Sequence, residues 1–167
     1  MAILRLLTPI NSEIMAGSRI EFHAPLRIGL LQSNIAAYDR LRREMGTYEA
    51  VRFVLDTHYA MSREAVEKHG VDAGMWSETV YPTTFGRPKS ADGAVLDREV
   101  EDFAAGLGVP LVFGAYDIDA SGEYNSAVFL RPKPDAAGRR FDVYRKTRLF
   151  LLTEYVPSWM EGRLARS

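Results

Sequence analysis

Apolar and polar positions along the first half of the chain form blocks typical of strands and helices that follow one another. Residues 26–32 are short, apolar and followed by the polar pair Ser33-Asn34, which predicts a buried strand. Across residues 47–68, apolar positions recur at spacings of three and four, which predicts an amphipathic helix that ends at Gly70. The predicted buried face of this helix comprises Val51, Val54, Leu55, His58, Met61, Ser62 and Ala65.

A second strand and a second helix follow in the same order. Residues 71–76 predict a strand, and a loop rich in glycine and proline occupies residues 81–93. Residues 97–107 predict another amphipathic helix, which Gly108 ends. The apolar stripe of this second helix comprises Val100, Phe103, Ala104 and Leu107.

The second half of the chain predicts three strands, at residues 111–118, 125–131 and 141–146. A hairpin turn at residues 119–122 joins the first two strands, and a longer polar turn at residues 132–138 joins the last two. Helices that alternate with buried strands favour an α/β fold, and the hairpins make its sheet mixed.

The two ends of the sequence differ from this pattern. Residues 1–25 lack strong periodicity, so we treat them as a leader with room for one short strand or helical turn. The last recognisable unit ends near Pro157, and residues 158–167 form a polar, basic tail with no closing helix or strand. We therefore expect one partial domain over residues 26–157 that is incomplete at its C-terminus.

Composition narrows the possible functions. The formal net charge is −1, which gives no sign of a nucleic-acid-binding protein or a polybasic membrane-surface protein. No residue is cysteine, which excludes disulfides and a cysteine nucleophile within this sequence. His23, His58 and His69 lack metal-ligand spacing, so we expect neither a metal ion nor a cofactor. We also expect no signal peptide and no transmembrane segment, because no apolar run reaches about 18 residues.

Three ionisable side chains lie where chemistry could occur. Glu78 follows an apolar strand, and burial beside Trp76 would suit it to general-base work. Lys146 ends another strand and could stabilise a developing oxyanion. Glu154 lies between an apolar pair and an aromatic residue, which would suit a half-buried carboxylate. Taken singly, each is more often an ordinary turn or surface residue.

Taken together, the segments around these residues resemble the nitrilase superfamily, and within it the apolipoprotein N-acyltransferases. Those proteins carry W-P-E-T-x-x-P, Y-N-S, Y-x-K and G-E-Y-V-P segments in this order, and an opening strand followed by Q-x-N-I. The matching segments here are residues 75–82, 123–127, 144–146 and 152–157, with residues 32–35 after the opening strand. The resemblance therefore covers residues 26–157.

The resemblance implies an α-β-β-α sandwich and a Glu-Lys-Cys mechanism. Glu78 would be the general base, Lys146 would stabilise the tetrahedral oxyanion, and Glu154 would support the site. In the acyltransferases a cysteine takes an acyl chain from a phospholipid and passes it to the N-terminal amino group of an apolipoprotein. That family's domain lies on the periplasmic side of the inner membrane. Its cysteine would follow well beyond Lys146, so we expect this chain to be an inactive fragment.

This sequence departs from the family pattern at three positions. Ser77 replaces a usual proline, Thr153 a usual glycine, and Arg145 a residue that is often acidic. Two alternatives stay open: a soluble nitrilase-type amidohydrolase, favoured by the lack of a membrane segment, and a non-enzymatic remnant of the fold, favoured by the missing cysteine.

Overall fold

A computed structural model describes residues 2–6, 26–35, 38–78 and 80–147. Six strands and three helices lie in these ranges. In chain order they are β1 Ala2–Leu6, β2 Leu26–Leu31, α1 Tyr38–Met45, α2 Thr47–His69, β3 Ala73–Trp76, α3 Ala91–Leu107, β4 Leu111–Asp119, β5 Gly122–Leu130 and β6 Phe141–Arg145.

The six strands form one mixed sheet in chain order, which confirms the predicted α/β class. Strands β2, β3 and β4 are parallel, and α2 and α3 provide the two crossovers that parallel neighbours require. Strands β1, β5 and β6 pair with their neighbours in antiparallel orientation. The two-residue turn Ala120-Ser121 joins β4 to β5, and the Asp119 side chain accepts a hydrogen bond of 2.8 Å from the Ser121 backbone nitrogen.

The core lies between the two long helices and one face of the sheet. Successive side chains of a strand point to opposite faces, and in β4 the buried members are Leu111, Phe113 and Ala115. Leu55 of α2 and Val100 of α3 pack into the same cluster and are fully buried. Burial of a leucine or phenylalanine side chain contributes about 1.5–3 kcal/mol, so each such residue of this layer stabilises the fold substantially.

The other face of the sheet exposes several large apolar side chains. Met75, Phe129 and Tyr144 lie on it, and 38%, 40% and 65% of their surfaces are exposed. The described residues thus build one helical layer and one sheet of the expected sandwich. No helix in these ranges is long and apolar enough to cross a membrane.

The predicted helix ends agree with the structure. Gly70 and Gly108 follow α2 and α3 with φ of 58° and 78°, a left-handed conformation that glycine adopts without strain. The buried face of α2 is also as predicted, except that Ala50 and Tyr59 are buried as well and Met61 is only partly covered.

Other boundaries differ from the prediction. Helix α3 begins at Ala91 rather than at residue 97, because the Ser90 hydroxyl caps it by accepting a 3.1 Å hydrogen bond from the Gly93 nitrogen. Helix α1 has no predicted counterpart, because it is only eight residues long, mostly polar, and none of its residues is fully buried. Strand β3 begins at Ala73, two residues later than predicted.

Candidate functional site

Glu78 and Lys146, which are 68 positions apart in the sequence, form an ion pair at one edge of the sheet. The Lys146 Nζ donates to the Glu78 Oε1 at 3.0 Å. Glu78 lies two residues after the end of β3, and Lys146 is the first residue after the end of β6. The tertiary fold thus brings together two of the three side chains that the sequence singled out.

Strand pairing explains how these distant residues meet. Met75 of β3 lies beside Val112 of β4, and Ala127 of β5 lies beside Tyr144 of β6. The pairing continues past β6, because the Lys146 nitrogen donates a 2.8 Å hydrogen bond to the Asn125 carbonyl oxygen. The register therefore places Lys146 at the edge where β3 ends.

Asn125 is a third polar member of this group. Its Nδ2 donates to the Glu78 Oε1 at 3.0 Å, so this oxygen accepts hydrogen bonds from both Asn125 and Lys146. Asn125 had no predicted role, although it lies in the Y-N-S segment. Asn125 and Ala127 are two residues apart in a predicted strand, so their side chains lie on the same face of the sheet. This alternation is the sequence signal that could have placed Asn125 at the site.

The predicted burial of Glu78 beside Trp76 is wrong. The Glu78 side chain is 60% exposed, whereas that of Lys146 is 24% exposed. Trp76 lies on the helix-covered face of the sheet, where its Nε1 donates a 2.9 Å hydrogen bond to the Ser62 Oγ. Glu78 lies beyond the end of the strand, so the buried indole gives it no apolar cover.

A cavity of about 330 Å³ adjoins the ion pair. Glu78, Asn125 and Lys146 lie at its polar end. The apolar part of the lining includes Met75, Val112, Ala127 and Tyr144. A second, larger cavity of about 600 Å³ lies at the ends of β2 and β3 and shares Met75 and Trp76 with the first, but none of its described lining residues is charged. The chemistry that the described residues can perform is therefore concentrated in the smaller cavity.

The loop that follows Glu78 is held to α3 by a buried carboxylate. Asp97 accepts a 2.5 Å hydrogen bond from the Tyr81 hydroxyl and a 2.9 Å hydrogen bond from the Gly86 nitrogen. Burial raises the pKa of Asp97, and the hydrogen bond from Tyr81 opposes that rise. Burial and the bond to Asp97 both raise the pKa of Tyr81. These two hydrogen bonds hold the loop against α3 at Tyr81 and at Gly86.

One of the three predicted site residues, Glu154, has no described position. Glu154 lies outside the described residues, so its predicted role stays a prediction. Within the described ranges, no cluster of histidine, aspartate or glutamate side chains could hold a metal ion.

Comparison with known proteins gives two curated relatives. The chain is 28% identical over 142 residues to an apolipoprotein N-acyltransferase of Thermosynechococcus vestitus, which covers 85% of this chain and 25% of that protein. It is 28% identical over 106 residues to an apolipoprotein N-acyltransferase 2 of Treponema denticola, which covers 62% of this chain and 19% of the relative. The chain therefore spans about a quarter or less of the relatives it matches.

A solved carbon–nitrogen hydrolase from Helicobacter pylori is similar over 74% of this chain and 40% of its own, with a TM-score of 0.44 and 20% identity. No protein-family profile matches the chain. The curated proteins to which this sequence is similar are apolipoprotein N-acyltransferases, which agrees with the predicted resemblance to the nitrilase superfamily.

Proposed function

We propose that this chain is part of an acyl-transfer site of the apolipoprotein N-acyltransferase type, and that it contributes the general base and the oxyanion-stabilising lysine. The observation that supports the proposal most is the 3.0 Å contact between Glu78 and Lys146, formed across 68 positions of sequence. An acid–base pair at a sheet edge beside an apolar cavity is an arrangement suited to acyl chemistry.

In the proposed reaction, Glu78 accepts the proton of an attacking thiol. The sulfur then adds to the carbonyl carbon of an acyl ester, and the Lys146 ammonium stabilises the negative charge on the carbonyl oxygen. The alcohol leaves with a proton, and a thioester forms. Glu154 is proposed to support this site, and residues 26–157 are proposed as the partial domain that carries it.

The nucleophile is not among these 167 residues, because none of them is cysteine. We therefore propose that the chain by itself forms no acyl-enzyme, and that the cysteine is supplied by a part of the protein outside this sequence. In the complete reaction the acyl donor would be a phospholipid and the acceptor the amino terminus of an apolipoprotein. The site would then act on the periplasmic side of the inner membrane.

The lining of the cavity supports an acyl substrate over a small polar amide. Met75 and Val112 contribute apolar wall next to the ion pair, and Tyr144 contributes a ring that is largely exposed. Such walls stabilise a hydrocarbon chain in proportion to the apolar area that they cover. A nitrilase-type hydrolase would use the same Glu78 and Lys146 but would transfer the acyl group to water, so the acceptor separates the two functions.

The test uses a small thiol in place of the missing cysteine. The full chain is incubated with an activated acyl ester and increasing N-acetylcysteamine, and thioester formation is measured. We expect an acceleration over the buffer reaction that saturates with thiol, and a loss of about tenfold or more in Glu78→Gln and Lys146→Met.

Glu44→Gln is the matched control, because the Glu44 side chain is 60% exposed, the same fraction as that of Glu78. This variant should retain the wild-type rate. Equal rates for the wild type, Glu78→Gln and Lys146→Met would overturn the proposal. Acyl groups that accumulate as free acid rather than thioester would favour the hydrolase.

A further inference from the structure

We propose that Asn125 is the positioning residue of this site, which sets the separation of Glu78 and Lys146 and determines which carboxylate oxygen takes the proton. The inference rests on the proposed function, since it assigns Asn125 a part in the same reaction. Two hydrogen bonds of Asn125 support it: the backbone carbonyl oxygen accepts from Lys146, and the side-chain amide donates to Glu78.

The first bond fixes the lysine through the backbone. The Asn125 carbonyl oxygen accepts a 2.8 Å hydrogen bond from the Lys146 nitrogen, one step beyond the last paired residues of β5 and β6. Arg145 and Ser126 form the preceding pair. The start of the Lys146 side chain is thereby held on the face of the sheet where Asn125 and the cavity lie.

The second bond fixes the glutamate through its side chain. The Asn125 Nδ2 donates to the Glu78 Oε1 at 3.0 Å, and the Lys146 Nζ donates to the same oxygen at 3.0 Å. Oε1 is engaged by two donors, so Oε2 is the oxygen that accepts the proton of an incoming thiol.

A neutral amide is suited to this position. Glu78 is 60% exposed and follows a four-residue strand, so a lysine contact by itself would hold it weakly, as exposed ion pairs generally do. Asn125 is part of a long paired strand, and its amide adds a donor without adding a charge. An aspartate there would keep the shape but would offer no donor and would repel the Glu78 carboxylate.

A zero-length cross-link measures this positioning without requiring activity. A water-soluble carbodiimide joins a carboxylate to an amine in contact with it, forming an amide with the loss of water. The full chain should yield a Glu78–Lys146 cross-link, quantified by peptide mapping. The Glu123–Lys89 salt bridge gives an internal reference in the same molecule, because it joins residues 34 positions apart and includes neither Glu78 nor Lys146.

We expect the ratio of the Glu78–Lys146 to the Glu123–Lys89 product to fall by at least about threefold in Asn125→Leu, which is similar in size but lacks the amide. Asn125→Asp should lower it further. Ser126→Ala is the matched control, since the Ser126 side chain points to the face opposite that of Asn125 and donates a 3.0 Å hydrogen bond to the Ala115 carbonyl oxygen. This variant should leave the ratio unchanged.

A ratio in both Asn125 variants equal to that of the wild type would overturn the inference, and so would an equal fall in Ser126→Ala. If Asn125→Leu fails to fold, which loss of the reference cross-link reveals, Asn125→Asp decides the outcome.

The thiol reaction separates this inference from the proposed function. In Asn125→Leu the maximal rate should fall several-fold while the half-saturating thiol concentration stays constant, because the defect lies in the orientation of the base. An Asn125→Leu protein with the full wild-type rate would remove the role of Asn125 and leave the proposed function intact. A wild type without any thiol-dependent rate would instead remove the proposed function, while the cross-link ratios would still report whether Asn125 holds the pair.

Discussion

Trp76 and Ser62 are joined by a buried hydrogen bond of 2.9 Å from the indole nitrogen to the hydroxyl oxygen, which ties β3 to α2. Trp76 is the last residue of β3, and Glu78 lies two residues further along the chain. The strand end that presents Glu78 is therefore anchored from the opposite face of the sheet.

We predict that Ser62→Ala destabilises the fold by about 1–3 kcal/mol, because the Trp76 indole nitrogen is left without an acceptor in the core. Urea unfolding followed by tryptophan fluorescence measures this loss. Ser121→Ala is the control, because Ser121 is exposed at the hairpin turn and its side chain makes no described hydrogen bond. Equal midpoints for the two variants would contradict the anchoring role of Ser62.

A second prediction concerns the pH dependence that His58 confers. His58 is fully buried, its Nδ1 contacts the Val54 carbonyl oxygen at 2.8 Å, and its Nε2 has no partner among the described residues. Burial lowers the pKa of His58 below its ordinary value of 6.5, which the unfolded chain retains. The unfolded state therefore binds the proton first, and stability is lost as the pH falls below 6.5 towards the lower pKa of the folded state.

His58→Gln should flatten this part of the stability curve, as measured by urea unfolding in a series of buffers between about pH 7 and pH 5. His69→Gln, at the exposed end of the same helix, should leave the slope as it is in the wild type. An unchanged slope in His58→Gln would assign the pH dependence to other groups.

A third prediction concerns the buried pair of Tyr81 and Asp97. Since burial raises the pKa of Asp97, the folded state holds a proton more readily than the unfolded state does. The free energy of unfolding therefore falls as the pH rises through the pKa of Asp97 in the folded state, where the buried carboxylate becomes charged. Tyr81→Phe removes the hydroxyl that opposes this rise, so its destabilisation should grow with pH and reach about 1–3 kcal/mol near neutrality.

Unfolding free energies of wild type and Tyr81→Phe at about pH 4 and about pH 7 give the measurement. The double variant Tyr81→Phe with Asp97→Asn should lose most of the difference between the two pH values, because the ionisable partner has gone. A difference that is the same at both pH values would show that the hydroxyl acts by packing rather than through the carboxylate.

A fourth prediction concerns Gly86, in the loop between β3 and α3. Its φ is +75°, and a Cβ there would collide with the ring of Phe141. Gly86→Ala should therefore destabilise the protein by about 1–3 kcal/mol through backbone strain and crowding. Thermal unfolding measures the change.

Gly106→Ala is the matched control, because it lies inside α3 with open space around the added Cβ. It should stabilise the protein by about 0.5–1 kcal/mol, since alanine favours the helix. A destabilisation by Gly86→Ala no larger than the effect at Gly106 would be inconsistent with the close approach of Phe141.

The sequence by itself determined the features that depend on neighbouring residues. Apolar spacing located α2 and its buried face, and Gly70 and Gly108 marked the ends of α2 and α3 because a left-handed residue after a helix favours glycine. The order of the motifs also singled out Glu78 and Lys146. The helix features are local because they require knowledge only of residues within about one turn of helix, whereas the order of the motifs acted through the resemblance to known proteins.

Only the tertiary structure decided which of these residues meet. The register from β3 through β6 brings Lys146 to Glu78 and makes Asn125 their common partner, and no local pattern contains that register. It also placed the Trp76 indole against α2 and left Glu78 exposed, contrary to the sequence-based prediction. The physical reason is that a strand's alternation specifies two faces, whereas the face that helices cover and the residues that lie opposite depend on long-range pairing.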